Sequence, residues 1–221
     1  MESVDYSKVV VKKPWGHEYL CYSNGDVAVW YLFIKKGERT SMHCHPSKNT
    51  GLVLLEGEIE LSFIRNKVNM KGLDKIHIFR ARFHSSHAQA DSFLFEVEAP
   101  EDKEDLVRLD DEYGREEKGY EGKESFHERN DTHFCLKSPT QNPKTDLIHG
   151  CLLRHIEVLN IDQLTAFTSK DYIVFTKGGV VTRLGKKILW PGDIADGQTL
   201  GRIAPKFSTE PNTSILHITK K

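Results

Sequence analysis

Several features are scarce in this 221-residue sequence. Its four cysteines, Cys21, Cys44, Cys135 and Cys151, are widely scattered and form no CxxC pair, so reduced thiols are expected rather than a disulfide framework. No run of about 18 apolar residues occurs, which excludes an ordinary membrane-spanning helix. Neither sign of charge predominates: 31 basic and 32 acidic residues leave a formal net charge of −1. That balance gives no electrostatic footprint for nucleic acid or a membrane surface. Residues 1–8 (MESVDYSK) have neither the basic nor the apolar region of a secretory signal, and a cytoplasmic location is expected.

A hydrophobic fraction of 38% and a charged fraction of 29% suit a globular protein with a sizeable core. The length allows one large or two small domains. The first hundred residues read as strands: 27–34 is rich in β-branched and aromatic residues, 51–57 is a short apolar run, and 58–64 alternates polar with apolar. Segments 76–79 and 91–98 continue the series, with Gly and Asn turns between them, as in an antiparallel sandwich or small barrel. Residues 101–112 are strongly charged, with Leu106 and Leu109 at helical spacing, and Gly114, Gly119 and Gly122 follow. Tyr113 and Tyr120 among these charges argue for an ordered crossing segment with one short helix. Strand signals return at 150–159, 172–176 and 214–219, and Asp162 opens a capped turn or short helix. The two halves form a weak internal repeat.

Residues 37–45 (GERTSMHCH) hold the chemistry-bearing pattern, with Gly57 twelve residues beyond His45. Alternation along a strand puts His43 and His45 on one face, a natural start to a metal site. Cys44 then faces the other way, as a small core thiol. Downstream, 83–87 (FHSSH) offers His84 or His87 as a third imidazole.

Gly37, His43-x-His45 and Gly57 resemble the first motif of the cupin superfamily. Residues 78–84 resemble its second, with Phe79-Arg80-Ala81 in place of the usual Pro-x-Gly turn. Three segments are similar to a narrower group, the type II mannose-6-phosphate isomerase-like cupins: 13–18 (KPWGHE), the HxH strand, and 96–98 (EVE) with 104–115 (EDLVRLDDEYGR). The resemblance implies an all-β fold of two double-stranded β-helix (cupin) barrels per chain, over 1–125 and 126–221, the second degenerate and metal-free. Trp190-Pro191-Gly192-Asp193 looks like a second-motif turn in that half, but no histidine follows it. Pairing as a homodimer is also implied.

On this likeness His43, His45 and His84 would bind one divalent metal, zinc first, with nickel, iron or manganese as alternatives. His87 would be a substrate contact. The acidic ligand usual after the second histidine is replaced by Lys48 and Asn49, with Asn49 left as a weak neutral ligand. Glu96, Glu98 or Glu18 would have to supply the base for proton transfer. Arg39, Lys48, Arg108 and Arg115 are the candidates for gripping phosphate oxygens. The leading expectation is therefore a metal-dependent sugar-phosphate or nucleotide-sugar isomerase or epimerase of surface-polysaccharide biosynthesis. A sugar-binding or scaffold protein that has lost the acidic ligand is the second reading, and an iron(II) oxygenase the third.

Overall fold

The computed structural model describes residues 4–221 and divides the chain into two compact units, Met1–Cys135 and Leu136–Lys221. Twelve strands build the first: β1 (Val9–Lys13), β2 (Gly16–Ser23), β3 (Ala28–Ile34), β4 (Met42–Cys44), β5 (Asn49–Glu56), β6 (Glu58–Phe63), β7 (Lys67–Lys71), β8 (Lys75–Ile78), β9 (His84–Ala88), β10 (Ser92–Ala99), β11 (Val107–Asp110) and β12 (Phe126–Glu128). A seven-stranded sheet runs β12-β1-β2-β3-β10-β5-β8 and a five-stranded sheet runs β11-β4-β9-β6-β7. All their pairings are antiparallel. This is the all-β, double-stranded β-helix fold expected from the sequence.

The core follows from period-two alternation. Trp30, Leu32, Ile34, Leu54 and Leu94 of the larger sheet cluster with Ile59, Leu61, Phe63, Met70 and Ala88 of the smaller one. The chain changes sheets between β5 and β6 at Gly57, whose φ is +105°. A Cβ there would lie 2.4 Å from Ser92 Oγ and 2.6 Å from the Asp91 carbonyl oxygen. Both the backbone and the space demand glycine. Gly57→Ala should therefore lower stability by about 2–4 kcal/mol in urea denaturation; a loss below about 0.5 kcal/mol, the size of an ordinary surface change, would contradict this account of the turn.

Two expectations are corrected. The helical spacing of Leu106 and Leu109 is misleading, because 107–110 is strand β11, paired with β4. The free edge of β4 recruits the segment, and tertiary pairing overrides the local pattern. Val107 and Leu109 then share the exposed face. The boundary expected at 125/126 also moves, because β12 pairs with β1 and belongs to the first unit.

In the second unit, one sheet orders β13 (Asp146–Ile148), β14 (Cys151–Glu157), β20 (Ser214–Lys220), β15 (Asp171–Lys177) and β18 (Ile194–Asp196). A second sheet orders β17 (Lys187–Leu189), β16 (Val180–Val181) and β19 (Ser208–Thr209). Its core gathers Leu164, Ile173, Phe175, Val180, Leu200 and Ile215. The turn expected at Asp162 is a 3-10 helix, Ile161–Ala166, capped by the preceding residue Asn160. A short helix α1 (Gly197–Ile203), capped by Asp196, had no clear periodic signal.

Candidate metal centre

Strand β4 is the centre of the site. It lies between β11 and β9, so that Arg108, His43 and His84 are neighbours in one rung. Directly paired residues share a face, and all three line the same cavity, together with His45. Ligand nitrogens of His43, His45 and His84 lie within 4.8 Å of one another. Among the described residues this is the one group of histidines, cysteines and carboxylates placed to hold a metal. Cys44 faces away and is buried.

The hydrogen bonds select the tautomers. Nδ1 of His43 lies 2.8 Å from the Ser41 carbonyl oxygen, that of His45 lies 2.6 Å from Asp105 O, and that of His84 lies 3.0 Å from Arg82 O. A carbonyl oxygen can only accept, so each Nδ1 carries the proton and each Nε2 presents a lone pair. His45 Nε2 is fully buried with no hydrogen-bond partner. An orphaned buried acceptor is costly, and a backbone carbonyl behind each imidazole is the usual outer shell of a histidine metal ligand. The donor set fits zinc, nickel or iron(II).

Charge supports the same fit. Burial pushes His43 well below the ordinary histidine range, helped by His84 and His45. Burial and the Lys48 ammonium lower His45 to about 3. Burial also lowers His84, to about 4, against the hydrogen bond to the Arg82 carbonyl, with the Arg82 and Lys48 charges adding to the fall. All three imidazoles are neutral at pH 7, the form that ligates.

The carboxylates divide into different environments. Glu96 Oε1 lies 4.0 Å from His45 Nε2, and burial raises its carboxyl to about 7 although Lys103 opposes the shift. Glu98 is more deeply buried still, but Lys103 and Lys48 outweigh that cost and hold it below the usual carboxylate range. Glu18 likewise resists the penalty of burial: Lys103, Lys13 and the Tyr120 hydroxyl hold it at about 2. Glu18 is thus committed to ion pairs, with Lys103 at 3.1 Å and Lys13 at 3.3 Å. Of the expected bases, Glu96 is the one placed beside an imidazole nitrogen and tuned near neutrality.

Lys48, at the position where the resemblance leads one to expect an acidic ligand, is 1% exposed. Its Nζ is 2.9 Å from Glu98 Oε1 and donates to Asp102 O at 2.6 Å. It therefore forms part of the cavity wall with its ammonium already satisfied. Asn49 is no ligand, because its Oδ1 accepts from the Arg80 backbone N–H at 3.0 Å. Arg39 and His87 also leave the site. Both line a separate surface cavity of about 570 Å³, where Arg39 pairs with Glu112 at 3.2 Å and His87 Nδ1 lies 3.0 Å from Gln89 Nε2. The cause is parity: His84 points inward, so His87, an odd number of residues along β9, points outward.

Arg108 and Arg115 do line the histidine cavity, each held by carboxylates of the crossing segment. Lys103, Tyr120 and Glu121 line it too and were not foreseen. The tyrosines among the charges of that segment were the available signal, since a solvated linker has no use for buried aromatic rings. The cavity is small, about 60 Å³.

No family model matches the sequence, and no curated protein matches it either. Solved structures similar to part of it include KdgF from Halomonas sp. (15% identity, 41% of this chain and 84% of that one, TM-score 0.40). Others are an RmlC-like cupin from Shewanella frigidimarina (14%, 45% and 89%, TM-score 0.40) and the capsular polysaccharide assembling protein CapF from Staphylococcus aureus (16%, 48% and 34%, TM-score 0.42).

Proposed function

We propose that the first unit is a cupin that binds one divalent metal through His43, His45 and His84 and acts on a sugar phosphate or activated sugar, as an isomerase or epimerase of carbohydrate biosynthesis. The observation that carries this reading is the set of three imidazoles, each with Nδ1–H given to a backbone carbonyl, whose ligand nitrogens lie within 4.8 Å of one another. A bound ion supplies Lewis-acid polarisation of a sugar carbonyl or hydroxyl oxygen. Glu96 takes a proton from the hydroxyl-bearing carbon beside the carbonyl and returns it to the former carbonyl carbon, while the hydroxyl proton passes to the former carbonyl oxygen. Its place 4.0 Å from His45 Nε2 puts it within reach of a substrate held at the histidine cluster. Arg108 and Arg115 orient the anionic end of the sugar, while Glu18 and Glu98 keep the surrounding lysines in place.

The second reading, a sugar-binding protein without turnover, is favoured by one observation: Lys48, buried and paired with Glu98, stands at the position where the resemblance leads one to expect an acidic ligand. One experiment separates the two. Protein purified without a metal-affinity tag and reconstituted should hold one divalent ion per chain. In deuterated water it should also exchange a carbon-bound proton of an aldose or ketose phosphate. Full metal content without exchange selects the binding protein, and substoichiometric metal after reconstitution overturns the metal-dependent isomerase.

A further inference from the structure

Glu121 sits in an unusually rich cationic nest. Its Oε2 is ion-paired with Lys13 Nζ, while its Oε1 is 2.7 Å from Arg115 Nη1 and 3.4 Å from Arg108 Nη2. All four side chains are at most 10% exposed and all line the histidine cavity. Other carboxylates share these cations: Asp111 binds Arg115 at 2.7 Å and Glu18 lies 3.3 Å from Lys13. With Asp111 counted, five carboxylates match the five cations of the cavity wall, Lys13, Lys48, Lys103, Arg108 and Arg115, so displacing Glu121 leaves one positive charge for an incoming anion. Two fork-shaped guanidinium groups around one carboxylate oxygen form a geometry made for oxyanions.

The segment that delivers Glu121 lies outside both sheets and is held by side chains. Residues 111–122 form neither helix nor strand, and Gly119 and Gly122 bracket Tyr120 and Glu121. Side chains secure it: Tyr120 donates to Glu18, and Arg108 Nη1 donates to the carbonyls of Lys118 and Gly119. With Tyr120 and Glu121 in place, the cavity of about 60 Å³ has room for a few water molecules rather than a phosphorylated sugar.

We propose that Glu121 is an internal stand-in for the anionic group of the ligand. A phosphate dianion binds Lys13, Arg108 and Arg115 by displacing the Glu121 carboxylate, and residues 116–122 then swing off the cavity to admit the rest of the molecule. A dianion with three acceptor oxygens offers more charge and more hydrogen bonds than the single carboxylate it replaces. This deepens the function proposed above by naming the group that opens the site. It rests on the cavity being the ligand site but not on the metal.

The test therefore uses metal-free full-length protein and inorganic phosphate, with acetate as the second arm. Glu121→Gln removes the competing charge at constant size, and Glu121→Ala removes the side chain. Calorimetry should show each variant binding phosphate about tenfold or more tightly than the parent, the worth of one charge-assisted hydrogen bond, and Arg115→Ala added to either should abolish the gain. Unchanged or weaker phosphate binding overturns the proposal, and acetate binding as tightly as phosphate overturns the assignment to a dianion. The parent protein decides if neither variant folds: phosphate should accelerate tryptic cleavage after Lys118, whereas protection or no change overturns the displacement.

Discussion

His84→Ala should abolish stable metal retention, and His87→Ala, three residues along the same strand, should leave it intact. His84 is paired with His43 across β4 and β9, 2% exposed, with its Nδ1 proton fixed on Arg82 O. Removing it leaves two protein ligands, too few to complete a tetrahedral or octahedral set without additional water. Loss of an outer-shell partner alone commonly costs 10–100-fold in affinity, so loss of a ligand should cost about 1000-fold or more. His87 lies on the opposite face and touches Gln89. Competition against a chelator, followed by elemental analysis, reads both variants, and circular dichroism checks that each keeps its fold. Retention by the His84 variant, or loss by the His87 variant, would overturn the assignment of the centre.

The second large effect concerns stability. Glu98→Ala should cost about 3–5 kcal/mol, because it strips the partner from a charge that is buried almost completely. Glu98 Oε1 is shared by Lys48 at 2.9 Å and Lys103 at 3.3 Å, and Lys48 and Glu98 are each 1% exposed. Lys103 keeps Glu18 and Lys48 keeps the Asp102 carbonyl, yet among the described residues no carboxylate remains within ion-pair distance of Lys48. The double variant Lys48→Met, Glu98→Leu removes both charges and should regain most of the loss, since a well-packed apolar pair often matches a buried ion pair. Urea denaturation monitored by tryptophan fluorescence measures all three proteins. A Glu98→Ala variant within about 1 kcal/mol of the parent, the range of an exposed pair, would show that water reaches and screens Lys48.

These residues also show what the sequence could and could not convey. The HxH pair and the Gly57 turn are local patterns: alternation over three residues and a backbone conformation that only glycine adopts readily. Both were legible. The choice of His84 over His87 followed from motif spacing, and strand parity supplies the physical reason. The ion pairs were not legible, because Lys13 meets Glu121, Tyr120 meets Glu18 and Lys48 meets Glu98 only after distant segments converge. No local property of Lys48 distinguishes a buried wall residue from a surface phosphate contact. Arg39 failed for a related reason. Its position beside the metal motif was correct, but it bridges to His87 on the outer face. The strand at 107–110 was hidden because its pairing partner, and not its own residues, decides its conformation.

The three carbonyls that orient the imidazoles belong to Ser41, Arg82 and Asp105, and in each case the acceptor is main chain. Substitution of those three side chains leaves the acceptors in place, so the tautomeric state of the centre is inherited from the path of the backbone. Two of the carbonyls lie two residues before the histidine they orient, and these settings are local. The third comes from 60 residues further along the chain. His45 alone takes its bearing from the charged segment around Asp105, so any displacement reaching as far as Asp105 would turn one ligand of the centre and leave the other two undisturbed.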